Sequence, residues 1–101
     1  MDRRSELSSL LRETLGSSNV YFQPPETVKL KYPCIIYSLS GERVLHADNA
    51  PHLHRDRYTI NVIDKDPDSD IPNRIRALPY TAFDRFYTAD NLNHFVYTIY
   101  F

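Results

Sequence analysis

The stretch 80–101 reads YTAFDRFYTADNLNHFVYTIYF, and it decides the fold. Aromatic and β-branched residues dominate two runs within it, which predict strands over 80–88 and 92–101. Between the runs, Asp90 and Asn91 tolerate the positive φ that a tight hairpin turn requires. The end of the chain is therefore predicted to form an antiparallel β-hairpin.

Two more strands are predicted upstream. The run YPCIIYSL at 32–39 is rich in β-branched and aromatic residues, and YTINVID at 58–64 alternates its side chains between two faces. The intervening segment 40–54, SGERVLHADNAPHLH, has no evident pattern. Loops of this length in a compact domain are usually functional or mobile, so 40–54 is predicted to be a long loop of one of these two kinds.

The N-terminal residues 1–16 are predicted to form a helix. Apolar and small residues recur at helical spacing, at Leu7, Leu10, Leu11, Thr14 and Leu15. Gly16 supplies the left-handed stop.

A second helix is predicted within 64–79, DKDPDSDIPNRIRALP. Ser69 or Asp70 can cap it, Pro72 fits its first turn, and Pro79 ends it. Between the first helix and the first strand, residues 17–31 are predicted to be mostly an extended connector, since consecutive prolines at 24 and 25 interrupt helix and ladder alike.

The predicted order is α-β-β-α-β-β. A chain of 101 residues has room for one core. Hairpins without a strand-helix-strand repeat favour an antiparallel sheet of about four main strands packed with two helices. The sequence thus predicts a single α+β domain spanning 1–101.

Charge and composition narrow the function classes. Twelve basic and thirteen acidic residues give a net charge of −1, which supplies no excess positive field for nucleic acid or an anionic membrane. No segment resembles a signal peptide or approaches membrane-spanning length. The single cysteine, Cys34, cannot form an internal disulfide and falls in an apolar strand, where core packing is expected. Synthesis and folding in a cytoplasm are the expectation.

Two residue sets could bind metal. Aspartates alternate at Asp64, Asp66, Asp68 and Asp70, but an EF-hand counted from Asp64 would place Ser69 at the glycine position and Ile75 at the glutamate position. An acidic cap before a helix is the favoured interpretation. The histidines His46, His52, His54 and His94 lack a second cysteine or an HExxH helix to complete a zinc site.

No catalytic motif is found, and with only two glycines the chain has no glycine-rich phosphate loop. The C-terminal run FVYTIYF is apolar on both strand faces. Three explanations fit: helices cover both faces of the sheet, tyrosines are exposed without a function, or one face meets a partner.

Four segments together resemble the small tail-terminator or tail-completion proteins of long-tailed siphophages. They are LRETLGSSNVYFQPP at 11–25, KYPCIIY at 31–37, RYTINVIDKDPDSDI at 57–71 and RFYTADNLNHFVYTIYF at 85–101. The resemblance covers nearly the whole chain, and its specificity lies in the order of the segments. It implies a virion structural protein with no active site and no cofactor.

The resemblance further implies an α+β subunit of a homo-oligomeric ring, a hexamer, that caps the tail tube, stops tail elongation and takes part in head-tail joining. Its expected partners are other copies of itself, the tail tube protein and the head-closure or connector protein, in the tail-neck region of the virion. A head-closure or neck adaptor role is the nearest alternative. A small metal-binding module is the alternative from another class.

A closed ring needs two different contact patches on each subunit, and edge strands and protruding loops are natural suppliers. The residues predicted to contact neighbours or the tube are Glu42, Arg43, Asp48, Asn49, Arg55, Asp56, Tyr97 and Phe101. DNA is expected only as passing cargo. The acidic segment 64–70 suits a lumen that repels phosphate.

Overall fold

The computed structural model describes residues 3–47 and 50–101, with side chains for 3–42 and 55–101. The protein is a small α+β domain of two helices and one five-stranded mixed sheet. The helices are α1 (Arg3–Leu15) and α2 (Ile71–Arg76). The strands are β1 (Val20–Phe22), β2 (Cys34–Ala47), β3 (Ala50–Asp64), β4 (Thr81–Ala89) and β5 (Leu92–Tyr100).

The sheet order is β1-β2-β3-β5-β4. Strand β1 pairs parallel with β2, and the other three pairs are antiparallel. The predicted C-terminal hairpin is confirmed: Asp90 and Asn91 have φ values of 53° and 63° and join β4 to β5. Two consecutive positive φ values match the right-handed twist of the flanking strands.

Both helices pack on one face of the sheet, which we call the helix face. Strand register places the alternate residues of β2, β3 and β5 on this face, and the helices add Leu and Ile side chains. The buried cluster comprises Leu7, Leu11, Leu15, Ile35, Tyr37, Tyr58, Ile60, Val62, Ile71, Ile75, Tyr97 and Ile99. One continuous core therefore joins both helices to the three central strands.

Helix α1 agrees with the predicted helix over its described residues. Leu7, Leu11 and Leu15 are buried, and Gly16 follows with φ 83°. The Gly16 amide donates to the Arg12 carbonyl at 2.8 Å, which closes the last turn. The buried Ser8 hydroxyl is hydrogen-bonded to the Tyr37 hydroxyl, so two polar groups in the core satisfy each other.

Helix α2 begins after Asp70, and Pro72 lies in its first turn as predicted. The alternating aspartates ahead of it have a backbone role. The Asp66 amide donates to Asp64 Oδ1 at 3.0 Å, and the Asp68 amide donates to Asp66 Oδ1 at 2.9 Å. The period-two spacing of these acids therefore makes successive Asx turns.

The structure corrects the predicted order and strand count. Residues 20–22, assigned to the extended connector, form β1, and the element order becomes α-β-β-β-α-β-β. Gln23, with φ 43°, and two prolines end β1 after three residues, which is too short for a sequence pattern to reveal.

The structure also corrects the predicted loop 40–54. Residues 40–47 and 50–54 continue β2 and β3, which pair from Gly41↔Arg57 to Ala47↔Ala50. Pro51 is tolerated because, among the described strands, only β2 pairs with β3 at that position, and the register shifts between Leu45 and His46 opposite it. Among the described residues, no helix is long and apolar enough to cross a membrane.

Candidate assembly surface

Strand β4 is an edge strand that is exposed on both of its faces. It pairs with β5 on one side, and in the described part of the chain no strand pairs with its other side. Every β4 residue after Thr81 is exposed, including Phe83 at 57%, Phe86 at 49% and Tyr87 at 38%. Long apolar edges are templates for pairing with another chain.

Two exposed aromatic rings of β4 pack against rings of the neighbouring strand β5. Phe83 meets Tyr97 edge-on with centroids 5.5 Å apart, and Phe86 meets Phe95 at 5.0 Å. Both pairs lie on the helix face, beside the helices. These contacts restrict the motion of the exposed rings, which would lower the entropy cost of burying them against another surface.

The opposite face of the sheet carries a polar cluster next to β4. Tyr87 stacks on His94 with centroids 4.5 Å apart and the planes inclined by 9°. Asn61 Nδ2 lies 3.2 Å from His94 Nδ1 and 3.4 Å from the Tyr87 hydroxyl. The side chains of β3, β5 and β4 are therefore linked across this face.

The pKa of His94 is lowered from its ordinary 6.5 because burial disfavours the imidazolium, although Asp90 and a backbone hydrogen bond at Ala89 act in the opposite direction. The unfolded chain then binds this proton at a higher pH than the folded chain does. The contribution of His94 to stability is complete above 6.5 and is lost as the pH falls through 6.5 toward the lower folded pKa.

We therefore expect His94→Gln to lose less stability than the wild type between about pH 7.5 and about pH 5. Urea unfolding at the two pH values measures this directly. All carboxylates are common to both proteins, so equal losses would contradict the expected role of His94.

The second feature is a two-stranded arm formed by 42–47 of β2 and 50–56 of β3. Strand β5 pairs with β3 only from Arg57 onward, and β1 pairs with β2 only at 35–37. The arm backbone therefore has no third strand among the described residues. A lone two-stranded hairpin is marginally stable in water.

Arg57 fixes the base of the arm. A bulge interrupts the β2–β3 register at Ser40, and Arg57 donates to the Ser40 carbonyl from Nη2 at 2.8 Å and to the Ser40 hydroxyl from Nε at 3.2 Å. A Cβ atom at Gly41 would lie 2.9 Å from Arg57 Nη2, so glycine leaves room for this side chain. Arg55 lies over the Tyr80 ring at 4.8 Å and ties the arm to the start of β4.

Replacing Arg57 by alanine is expected to lower the free energy of unfolding by about 1 kcal/mol, because the lost hydrogen bonds are exposed. The larger effect is expected in amide hydrogen exchange. Exchange should accelerate over 41–56, while the amides of the helices and of the rest of the sheet stay protected. Lys29→Ala removes the same charge from an exposed position and serves as the control. Unchanged exchange over 41–56 would show that Arg57 does not fix the arm.

The predicted contact residues fall in different places. Glu42, Arg55 and Asp56 lie at the base of the arm, and Arg43 lies on the arm backbone opposite Arg55. Asp48 and Asn49 lie outside the described residues.

The two predicted aromatic contacts do not lie on the arm. Tyr97 is 1% exposed and part of the core, so the structure corrects its assignment to a contact surface. Phe101 is half-buried, and Cζ of Arg3 lies 4.2 Å from the centroid of its ring.

The exposed β4 aromatics Phe83, Phe86 and Tyr87 were absent from the predicted contact set. The sequence signal was present, since FDRFY is aromatic on both faces of a strand, yet the sequence did not reveal that β4 lies at the edge. The C-terminal strand β5 contains Tyr97, which was in the predicted contact set, and it lies between β3 and β4.

The metal and thiol candidates do not converge. Within 3–42 and 55–101, no group of three or more His, Cys, Asp or Glu side chains could hold an ion. His46, His52 and His54 have side chains outside the described set. Cys34 is fully buried, and burial, with a smaller effect of Asp64, raises its pKa to about 11. Its thiolate is scarce at neutral pH.

Together, β4 and the arm form the candidate assembly surface. They are two different features, an exposed aromatic edge strand and a hairpin whose backbone has no third strand among the described residues. No known family model matches this chain, and no curated protein is detectably similar to it.

Proposed function

We propose that the protein is a virion structural protein of a siphophage. In this proposal it forms a homo-oligomeric ring, a hexamer, that caps the tail tube, ends tail elongation and takes part in head-tail joining. The protein performs no enzymatic reaction and uses no cofactor. The resemblance of the four sequence segments to tail-terminator proteins suggests this role, and two unlike features of the subunit, the exposed aromatic edge of β4 and the arm, support it.

The observation that carries the proposal is the presence of two features in one small subunit, the aromatic edge strand β4 and the arm. A ring interface is heterologous, so each subunit must present two different surfaces that fit each other. Strand β4 offers exposed Phe83 and Phe86, and the arm offers backbone that has no third strand in the described part of the chain. A monomeric protein gains nothing by leaving both features open, since edges of this kind promote aggregation.

A head-closure or adaptor protein of the same neck is the second candidate, because it would use the same ring geometry with different axial partners. In either ring, DNA that passes through the lumen would face the residues that line it. The segment 64–70 presents Asp66, Asp68 and Asp70 to solvent without a convergent cation site. Fixed negative charge of this kind disfavours phosphate approach, which suits DNA as cargo and not as a bound ligand.

Locating the protein on phage particles tests the proposal. A tagged copy of the full chain, detected with gold-labelled antibody, is expected at one end of free tails and at the head-tail junction of complete particles. Label on filled heads that have not yet met a tail, with bare free tails, would assign the protein to head closure. Label on neither structure would reject a virion role.

A further inference from the structure

We infer that His94, Asn61 and Tyr87 form a proton-operated switch, in which protonation of His94 turns the Asn61 side-chain amide over and reverses its hydrogen bond to the Tyr87 hydroxyl. The switch lies on the face of the sheet opposite the helices, where β3, β5 and β4 lie side by side. It does not depend on the proposed ring.

The hydrogen bond between Asn61 and His94 has a fixed direction. Asn61 Nδ2 can only donate, and it lies 3.2 Å from His94 Nδ1. His94 Nδ1 accepts this bond only while it carries no hydrogen, which places the hydrogen of the neutral ring on Nε2. The imidazolium carries hydrogens on both nitrogens, so its protonation would set two donors against each other.

The same amide holds an unused acceptor. Asn61 Oδ1 is buried and has no hydrogen-bond partner among the described residues. A half-turn about the Cβ–Cγ bond exchanges Oδ1 and Nδ2, whose shapes are nearly the same. Oδ1 would then accept from the Nδ1–H of the imidazolium. Each orientation leaves one amide atom without a partner, so the proton on His94 decides which orientation is favoured.

The turned amide stabilises the imidazolium strongly. A hydrogen bond from an ionised donor is roughly twice as strong as a bond between neutral groups. Burial still lowers the pKa of His94 from its ordinary 6.5, against the opposing effects of Asp90 and of a backbone hydrogen bond at Ala89. The switch therefore operates as the pH falls below 6.5.

Both helices lie on the other face of the sheet, so the groups that adjoin His94 come from the strands and the turn. The titratable and charged side chains of these elements are Arg85 and Tyr87 of β4, Asp90 of the turn, Asp64 of β3 and Cys34 of β2. Among them, the charge of Asp90 acts on the pKa of His94 and raises it.

Tyr87 carries the change to the surface. It is 38% exposed, and its ring stacks on His94 with centroids 4.5 Å apart. Asn61 Nδ2 donates to the Tyr87 hydroxyl at 3.4 Å, which leaves the hydroxyl hydrogen free to be donated outward. After the half-turn, the hydroxyl donates to Oδ1 and can only accept from outside. Protonation thus changes both the charge and the hydrogen bonding offered on this side of β4.

The substitution Asn61→Leu tests the inference through the direction in which it moves the pKa of His94. Solution NMR of the labelled full chain measures that pKa. If the amide turns, leucine removes a charge-assisted bond to the imidazolium, and the pKa of His94 is expected to fall. If the amide keeps one orientation, leucine removes a donor that stabilises only the neutral ring, and the pKa rises. A rise or an unchanged pKa would overturn the inference.

The substitution Thr59→Val is the matched control. Thr59 lies two residues before Asn61 on the same face of β3, and valine makes that face more apolar without touching the amide. The pKa of His94 is expected to stay the same in this variant. A fall equal to that of Asn61→Leu would attribute the effect to lost polarity and reject the switch.

The wild-type protein provides a second test that requires no substitution. At about pH 8, the nitrogen shifts of the ring are expected to show the Nε2–H tautomer of His94. The Asn61 side-chain amide signals should follow the titration of His94, whereas those of Asn73, which donates to Asp70 at 3.3 Å, should not. An Nδ1–H tautomer at that pH, or Asn61 signals that ignore the titration, would contradict the switch.

Discussion

Tyr97→Ala is expected to lower the free energy of unfolding by about 3–5 kcal/mol, the range for removing a large buried aromatic side chain. Tyr97 is 1% exposed, lies in the core cluster and supports Phe83 through an edge-on contact at 5.5 Å. The loss is a large fraction of the total stability of a domain of this size. Urea unfolding monitored by circular dichroism measures it.

The conservative variant Tyr97→Phe separates packing from the hydroxyl group. The hydroxyl accepts one long hydrogen bond from Arg76 Nη2 at 3.4 Å, so its removal is expected to cost about 1 kcal/mol or less. A Tyr97→Ala protein with wild-type stability and defective assembly would instead return Tyr97 to the contact surface and contradict its place in the core.

Leu11→Ala is expected to lower the free energy of unfolding by about 2–5 kcal/mol, because it leaves a cavity between α1 and the sheet. Leu11 is fully buried and belongs to the cluster that joins both helices to the strands. Ser9→Ala, at an exposed position on the same helix, is the control and is expected to change stability by less than about 0.5 kcal/mol. Equal effects of the two substitutions would show that α1 does not pack as described.

The C-terminal hairpin and the two helices could be predicted because their signals are local. Asp90 and Asn91 specify the turn through their own backbone preferences, and Gly16 ends α1 in the same way. The helical spacing of Leu7, Leu11 and Leu15 indicates which face of α1 is buried. None of these features depends on where another part of the chain lies.

The arm could not be predicted because its sequence has features that are unusual in a β-strand. Pro51 removes a backbone donor, and the register sets Glu42 against Asp56 and Arg43 against Arg55. Both features weaken an isolated strand pair. They are tolerated in a strand that has one neighbour among the described residues, and strand pairing is long-range information that the local sequence does not carry.

The sequence did not indicate which of the two C-terminal aromatic strands is exposed, for a related reason. Strands β4 and β5 are both aromatic, and composition alone does not say which of them lies at the edge. The sheet order places β5 inside and β4 outside. The rings of Phe83 and Phe86 are therefore exposed, whereas that of Tyr97 is buried.

Negative-stain electron microscopy of particles from a phage that lacks this protein tests the central claim most directly. If the protein ends tail growth, free tails of excessive length should accumulate beside filled heads without tails. Free tails of normal length beside leaking heads would contradict tail termination and assign the protein to head closure.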